Sequence, residues 1–134
     1  GCGPGRYTIP LAEMVGKKGI VYAVDIHPLA LKKVEKMGKR KGIDNVKTLF
    51  AKNIEKIKEN SIDTVILFDV LHDINNKKYT LKNIEKLLKS KGKLTFKDHE
   101  INEEKIKSLI SNSTSLKLYK DKTKNKIIEF IKTD

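Results

Sequence analysis

The sequence predicts an α/β fold: a mostly parallel sheet with helices on both faces, ending in an antiparallel hairpin. Three observations lead there. Short apolar runs of strand length alternate with segments of helical periodicity, the pattern that builds a parallel sheet. Two of those runs, Ile20–Asp25 and Asp63–Phe68, are apolar almost throughout, as expected of strands buried on both faces. The last two runs are joined only by the short polar stretch Lys120–Asn125, which allows antiparallel pairing alone.

The elements follow in order. After the Gly-rich opening Gly1-Cys2-Gly3-Pro4-Gly5, a helix is expected over Tyr7–Val15, with Pro10 tolerable only in its first turn. Gly16 and Gly19 end it. Ile20–Asp25 is the first strand. Pro28 starts a helix that runs to Lys41, with Leu31, Val34 and Met37 on one face and Gly42 at its end. Val46–Phe50 is a second strand and Asp63–Phe68 a third. Lys77–Lys89 reads as a helix through the spacing of Leu81, Ile84, Leu87 and Leu88, with Gly92 as its cap. Lys93–Lys97 is a fourth strand. Glu103–Ser111 is a helix whose first-turn acids suit the positive end of its dipole. Leu116–Tyr119 and Lys126–Ile131 form the closing hairpin.

The chain has 134 residues, the length of a single domain over 1–134. A chain this long buries roughly two thirds of its unfolded surface and folds without disulfides. Hydrophobic residues make up 38% and charged residues 34%, too apolar and too regularly patterned for disorder. The longest apolar run, Val65–Phe68, stops at Asp69, too short to span a bilayer. The opening residues lack the basic and apolar regions of a signal peptide. One cysteine, Cys2, fits a reducing cytoplasm. A Gly-rich loop that opens a helix ordinarily follows a strand. None precedes Gly1, so the central first strand of the sheet is expected to be missing from this chain, with more residues upstream in the natural protein.

Formal net charge is +12, which raises the question of nucleic acid. The positive charge is almost all lysine; Arg6 and Arg40 are the only arginines. Arginine reads phosphates and base edges better, because its planar fork engages two acceptors at once. The lysines are also spread along the chain. A lysine-coated surface is the simpler reading, with an RNA-binding face as the alternative.

Chemistry concentrates at the opening loop. Its glycines allow a sharp turn and close approach of a ligand, and the helix after it presents free N–H groups to a carboxylate or phosphate. Asp25 lies twenty residues beyond Gly5, at the end of the next strand, where a carboxylate can accept from both ribose hydroxyls. Its plainer role is to cap the helix at Pro28. A dinucleotide fingerprint, G-x-G-x-x-G, needs its third glycine where this chain has Arg6. That opposes a nicotinamide cofactor and favours a smaller ligand carrying a carboxylate and an amine.

Gly1-Cys2-Gly3-Pro4-Gly5, Val24-Asp25 and the later strand-end segments resemble the class I S-adenosylmethionine-dependent methyltransferases over essentially the whole chain. The resemblance implies a Rossmann-like three-layer sandwich with strand order 3-2-1-4-5-7-6, of which the first strand is not in this chain. It also implies roles: Gly1, Gly3 and Gly5 around the methionine moiety, Asp25 on the ribose, and Ile26 against the adenine. Asn53 would face the adenine amino group in place of the usual Asp, beside the apolar Ile54. The Phe68 carbonyl would meet the methionine amine. The implied cofactor is S-adenosylmethionine and the expected acceptor a small molecule. RNA, or a non-catalytic cofactor-binding role, is the alternative.

Methyl transfer from a sulfonium needs positioning more than a catalytic cluster. No Asn-Pro-Pro-Tyr string is present, and no Cys/His spacing suggests a metal. His72 is the candidate base, with a structural wall role as the plainer reading. Asp73 is expected to cap a turn with Asn75 and Asn76. Asp98 and His99 are possible substrate contacts, His27 a helix start, and Tyr7 either a cover over the cofactor or core. Cys2 is a weak candidate nucleophile.

Overall fold

The computed structural model describes residues 1–134 apart from the side chains of Lys122 and Thr123. They group into two compact units, residues 1–56 and residues 57–134.

The first unit runs α1 (Thr8–Val15), β1 (Val21–Asp25), α2 (Pro28–Arg40), β2 (Val46–Phe50) and a 3-10 helix (Ala51–Lys56). β1 and β2 pair in parallel, from Val21 opposite Val46 to Asp25 opposite Phe50. Both strands therefore end at one edge, and the 3-10 helix continues directly from it. The sequence explains the helix ends. α2 has Pro28 in its first turn. Past its C-cap, Gly42 adopts φ +67, and the N–H groups of Gly42 and Ile43 return to the carbonyls of Lys39 and Gly38, the Schellman arrangement. Leu31 and Val34 are buried, each worth about 1.5–3 kcal/mol of apolar burial. α1 ends at Gly16, and the Asn45 amide donates to the carbonyls of Ala12 and Gly16 at 2.9 Å each.

One expectation fails here. β1 is not buried on both faces: Ala23 and Asp25 are buried, while Tyr22 is 37% exposed and Ile20, just before the strand, 51%. A two-stranded ribbon leaves margins that a wider sheet would cover, so the apolar run reads as one buried face and one partly open face.

The second unit contains β3 (Ile62–Phe68), a 3-10 turn (Leu71–Asp73), α3 (Lys77–Leu87), β4 (Leu88–Lys97), α4 (Glu103–Ser113), β5 (Lys117–Lys122), a 3-10 turn (Thr123–Asn125) and β6 (Ile127–Ile131). The sheet order is β3-β4-β6-β5. β3 and β4 are parallel, and β6 lies antiparallel to both β4 and β5, so the closing hairpin forms as expected. Phe96, Leu94, Leu88, Leu81, Ile110 and Ile128 anchor one continuous core.

α3 is shorter than its periodicity implies. It stops at Leu87, and Leu88, expected on the helix face, begins β4. Gly92 is not its cap; it sits within β4, beyond Lys91 at φ +66, where the pairing to β3 jumps from Leu88 to Lys93. The carbonyls at the end of α3 are taken by distant groups instead. The N–H groups of Asn60 and Ser61 bond Lys86 and Leu87, and the Lys132 ammonium bonds Glu85 and Leu88 at 2.8 Å each.

Candidate functional site

In the first unit the chemistry gathers at the C-terminal edge of β1. Asp25 is 5% exposed. Its Oδ2 accepts from the Gly3 N–H at 2.9 Å and its Oδ1 from the His27 N–H at 3.0 Å. Burial works to raise this carboxyl, but the N–H bonds from His27 and Gly3 lower it, and Asp25 lies below the usual carboxylate range. The cap role expected of Asp25 is seen in its bond from the His27 N–H. The carboxylate ties the Gly-rich loop to the strand end and also turns the chain into α2. Each carboxylate oxygen has a second lone pair for a further donor.

The glycines differ. Gly5 is buried at φ +97, and a Cβ there would lie 3.3 Å from Val34 Cγ2, so this position holds the loop against α2. Gly3, at φ +55, has nothing within 4 Å of its Cβ position, leaving open space beside the Asp25 carboxylate. Gly1 and Cys2 run along β1, and both donate N–H bonds to the Val24 carbonyl. Burial pushes the Cys2 thiol up, away from nucleophilic thiolate. Ile26 is 70% exposed at the same edge. Asn53 and Ile54 lie half-buried in the 3-10 helix after β2, and the Asn53 amide bonds no other described side chain. The open space at Gly3, the buried carboxylate and the exposed apolar Ile26 lie at one edge, a set that can take ribose hydroxyls beside an apolar ring. Tyr7 is not in the core; it is 40% exposed, with the Arg6 guanidinium 5.5 Å from its ring.

In the second unit the ends of β3 and β4 carry a crossed clasp. Phe68 pairs opposite Lys97, so the residues after each strand lie side by side. Asp98, after β4, reaches over to His72: its carboxylate accepts the His72 N–H at 3.1 Å and meets His72 Nδ1 at 3.0 Å. Asp69, after β3, reaches the other way and accepts from the His99 N–H at 2.9 Å and Nδ1 at 2.6 Å. The two rings meet edge to face, 5.3 Å apart. The pairs differ in burial. The Asp98 side chain is fully buried and His72 is 21% exposed, whereas His99 is 63% exposed. The hydrogen bonds from His99 hold the Asp69 carboxyl low, and the Asp69 carboxylate in turn raises His99.

Sequence spacing pointed to no metal cluster, yet Asp69, Asp98 and His99 bring ligand-type atoms within 4.8 Å of one another. The Asp98 oxygens already accept from His72 and from the Glu100 N–H at 2.9 Å, and Asp69 is bonded to His99. These groups form a hydrogen-bonded clasp. Asp73 caps nothing; its side chain is 82% exposed, 3.4 Å from His72 Nε2. Asn76 is the cap of α3, accepting from the Tyr79 N–H. His27 starts α2 as expected. The crossed pairing escaped the sequence reading, because its partners lie 26 and 30 positions apart.

A family model described as "Methyltransferase domain" matches residues 1–133. The chain belongs to that family. This methyltransferase domain is 33% identical over 92 residues to a demethylmenaquinone methyltransferase of Geobacillus stearothermophilus, across 68% of this chain and 39% of that protein. A second, from Geobacillus kaustophilus, is 32% identical over the same shares. The chain thus spans about 39% of the length of the curated relatives it matches. Among solved structures it is similar to a SAM dependent methyltransferase from Aquifex aeolicus, with a TM-score of 0.82, 21% identity, and 98% of this chain and 77% of that one covered. An arsenic(III) S-adenosylmethionine methyltransferase from Chlamydomonas reinhardtii gives 0.74 at 16% identity, covering 98% of this chain and 59% of that one. At these identities the structural likeness speaks for the fold: the methyltransferase domain is a class I, Rossmann-like α/β domain. S-adenosylmethionine is the cofactor of that class. The two sheets follow its strand order in two runs, β2-β1 and β3-β4-β6-β5. Its first strand has no counterpart among the described residues. No described helix is long and apolar enough to cross a membrane.

Proposed function

We propose that this chain is the S-adenosylmethionine-binding domain of an enzyme that methylates a small molecule. The observation that carries this reading is the buried Asp25 carboxylate beside the open face of Gly3. That donor supplies a methyl carbon on a positively charged sulfur, so the task left to the chain is to bind, orient and exclude water. In the first unit, Gly1, Gly3 and Gly5 shape the wall at the methionine moiety and Asp25 accepts from the ribose hydroxyls through its remaining lone pairs. Ile26 and Ile54 offer apolar surface to the adenine, and the unpartnered Asn53 carbonyl accepts from its amino group. In the second unit, the Phe68 carbonyl is assigned to the methionine amine. The family match over both units supports treating residues 1–133 as parts of one domain.

The small-molecule reading is supported by the likeness to demethylmenaquinone methyltransferases and by the shortage of arginine among the cations. The lone cysteine supports a cytoplasmic location. The test is calorimetry with S-adenosylhomocysteine on the full-length protein. Asp25→Ala is expected to weaken binding by at least ~10-fold through loss of hydrogen bonds to a charged acceptor. Unchanged affinity in that variant would sink the assignment.

A further inference from the structure

We propose that the cavity between the Gly-rich loop and the second half of α2 is a binding site for a phosphate group, free or carried on a small molecule. The site lies wholly within the first unit and is independent of the methyltransferase reading above.

The cavity measures about 180 Å³ and is lined by Lys33, Lys36, Met37 and Arg40 of α2 and by Pro4 of the loop. Positions 33, 36, 37 and 40 are spaced i, i+3, i+4 and i+7, so all four side chains leave one face of the helix. Three of them are cations. Elsewhere, lysines beside carboxylates are paired: Lys89 with Asp63 at 3.1 Å, and Lys107 with Asp121 at 2.6 Å. Among the described residues, the side chains of Lys33, Lys36 and Arg40 make no ion pair and no hydrogen bond. Glu35 is the one acid on α2, and its carboxylate is engaged by the Thr48 hydroxyl at 2.6 Å.

This arrangement works against the helix. Lys33 and Lys36 stand three residues apart, and Lys36 and Arg40 four, spacings at which like charges repel. The helix dipole accounts for Arg40, which lies in the last turn at the negative end. It does not account for Lys33 and Lys36, because its effect fades within the last turn. An anion in the cavity removes the repulsion among all three.

Chemistry and size select the anion. A planar guanidinium engages two phosphate oxygens at once, and the two ammonium groups add point charge. Sites that enclose a whole small molecule run to about 300–1,000 Å³, so a cavity of about 180 Å³ takes one group of a ligand and leaves the rest in solvent. Three cations within two turns of one helix cover a phosphate or two, not a nucleic-acid strand. Met37 and Pro4 supply an apolar wall for carbon attached to the phosphate. That wall is held in place: Gly5, next to Pro4, packs so closely on α2 that a Cβ there would lie 3.3 Å from Val34 Cγ2.

The test is isothermal titration of the full-length protein with inorganic phosphate and with phenyl phosphate, at about 50 mM salt. A Kd of about 1 mM or tighter is expected. Tighter binding of phenyl phosphate assigns an ester lying against Met37 and Pro4, and equal binding assigns the free ion; both support the site. Lys36→Gln and Arg40→Gln should each weaken binding by about 10-fold, the loss of one charge-assisted contact. Lys39→Gln removes the same charge from an exposed position of α2 outside the cavity and should leave the affinity unchanged. Lys36→Gln should also raise the melting temperature measured without phosphate, since it relieves the repulsion. The proposal is overturned if neither probe binds, if Lys39→Gln weakens binding as much as Lys36→Gln, or if the two cavity variants bind as the unaltered protein does. Retention of an unstructured RNA that depends on Lys36 and Arg40 would also overturn it, in favour of a nucleic-acid face.

Discussion

Gly5 and Gly3 look equivalent as letters, and the structure separates them. Gly5 combines φ +97 with a neighbour 3.3 Å from its Cβ position, whereas Gly3 has φ +55 and open space. Gly5→Ala is therefore expected to cost about 1–3 kcal/mol through strain and contact, and Gly3→Ala about 1 kcal/mol through strain alone. Urea unfolding of the two variants measures the difference; equal losses would contradict the packing role of Gly5. Asp25 and His99 predict opposite pH behaviour. The folded pKa of Asp25 lies below its unfolded value of about 3.9. Its stabilisation is thus complete above that value and lost as pH falls through the folded one. His99 is raised above about 6.5, so its contribution is complete below that value and lost as pH rises through the folded one. Asp25→Asn should flatten the acid side of a stability–pH curve, and His99→Gln the side above neutrality. The tie of Asp25 to the loop was legible because only one helix and one strand, α1 and β1, lie between them. The clasp was not, because it depends on which strands end side by side, and sequence spacing does not encode that.

Elements whose ends are set by their own sequence were read closely. α2 begins at Pro28 and ends at a glycine in the left-handed region, and both signals are local. β2 matches its expected bounds at Val46–Phe50. α3 was misread because its stop signal lies elsewhere. The Lys132 ammonium bonds the carbonyls of Glu85 and Leu88 and the Asn60 side chain, a cation at the negative end of the helix dipole. Lys132→Met keeps the apolar stem and removes these bonds, so a loss of about 1–2 kcal/mol is expected. Asn102, which accepts from the Lys105 N–H at 2.8 Å at the start of α4, gives a local comparison: Asn102→Ala should cost about 1 kcal/mol. Thermal or urea unfolding checks both. A negligible effect at Lys132 would mean that the N–H groups of Asn60 and Ser61 hold the end of α3 unaided.

Across the whole chain the dominant electrostatic fact is a net charge of +12, and the question it poses is whether RNA is bound. Specific RNA recognition generally stacks bases on aromatic faces and forks arginine onto phosphates. Here the arginines number two. Tyr119, 44% exposed, already has the ammonium groups of Lys93 and Lys120 at 4.4 and 5.4 Å from its ring, so its π-face is shared with lysine. Exposed lysines occur on several elements of each unit, on α2 and the 3-10 helix after β2 and on α3 and α4. A dispersed charge of this kind attracts polyanions weakly and yields quickly to salt. Filter binding with an unstructured RNA is therefore expected to show no retention at about 50 mM salt. Tight binding with a log–log salt slope near one unit per phosphate would mean instead that the lysines track a backbone, and the acceptor would then have to be sought on RNA and not among small molecules.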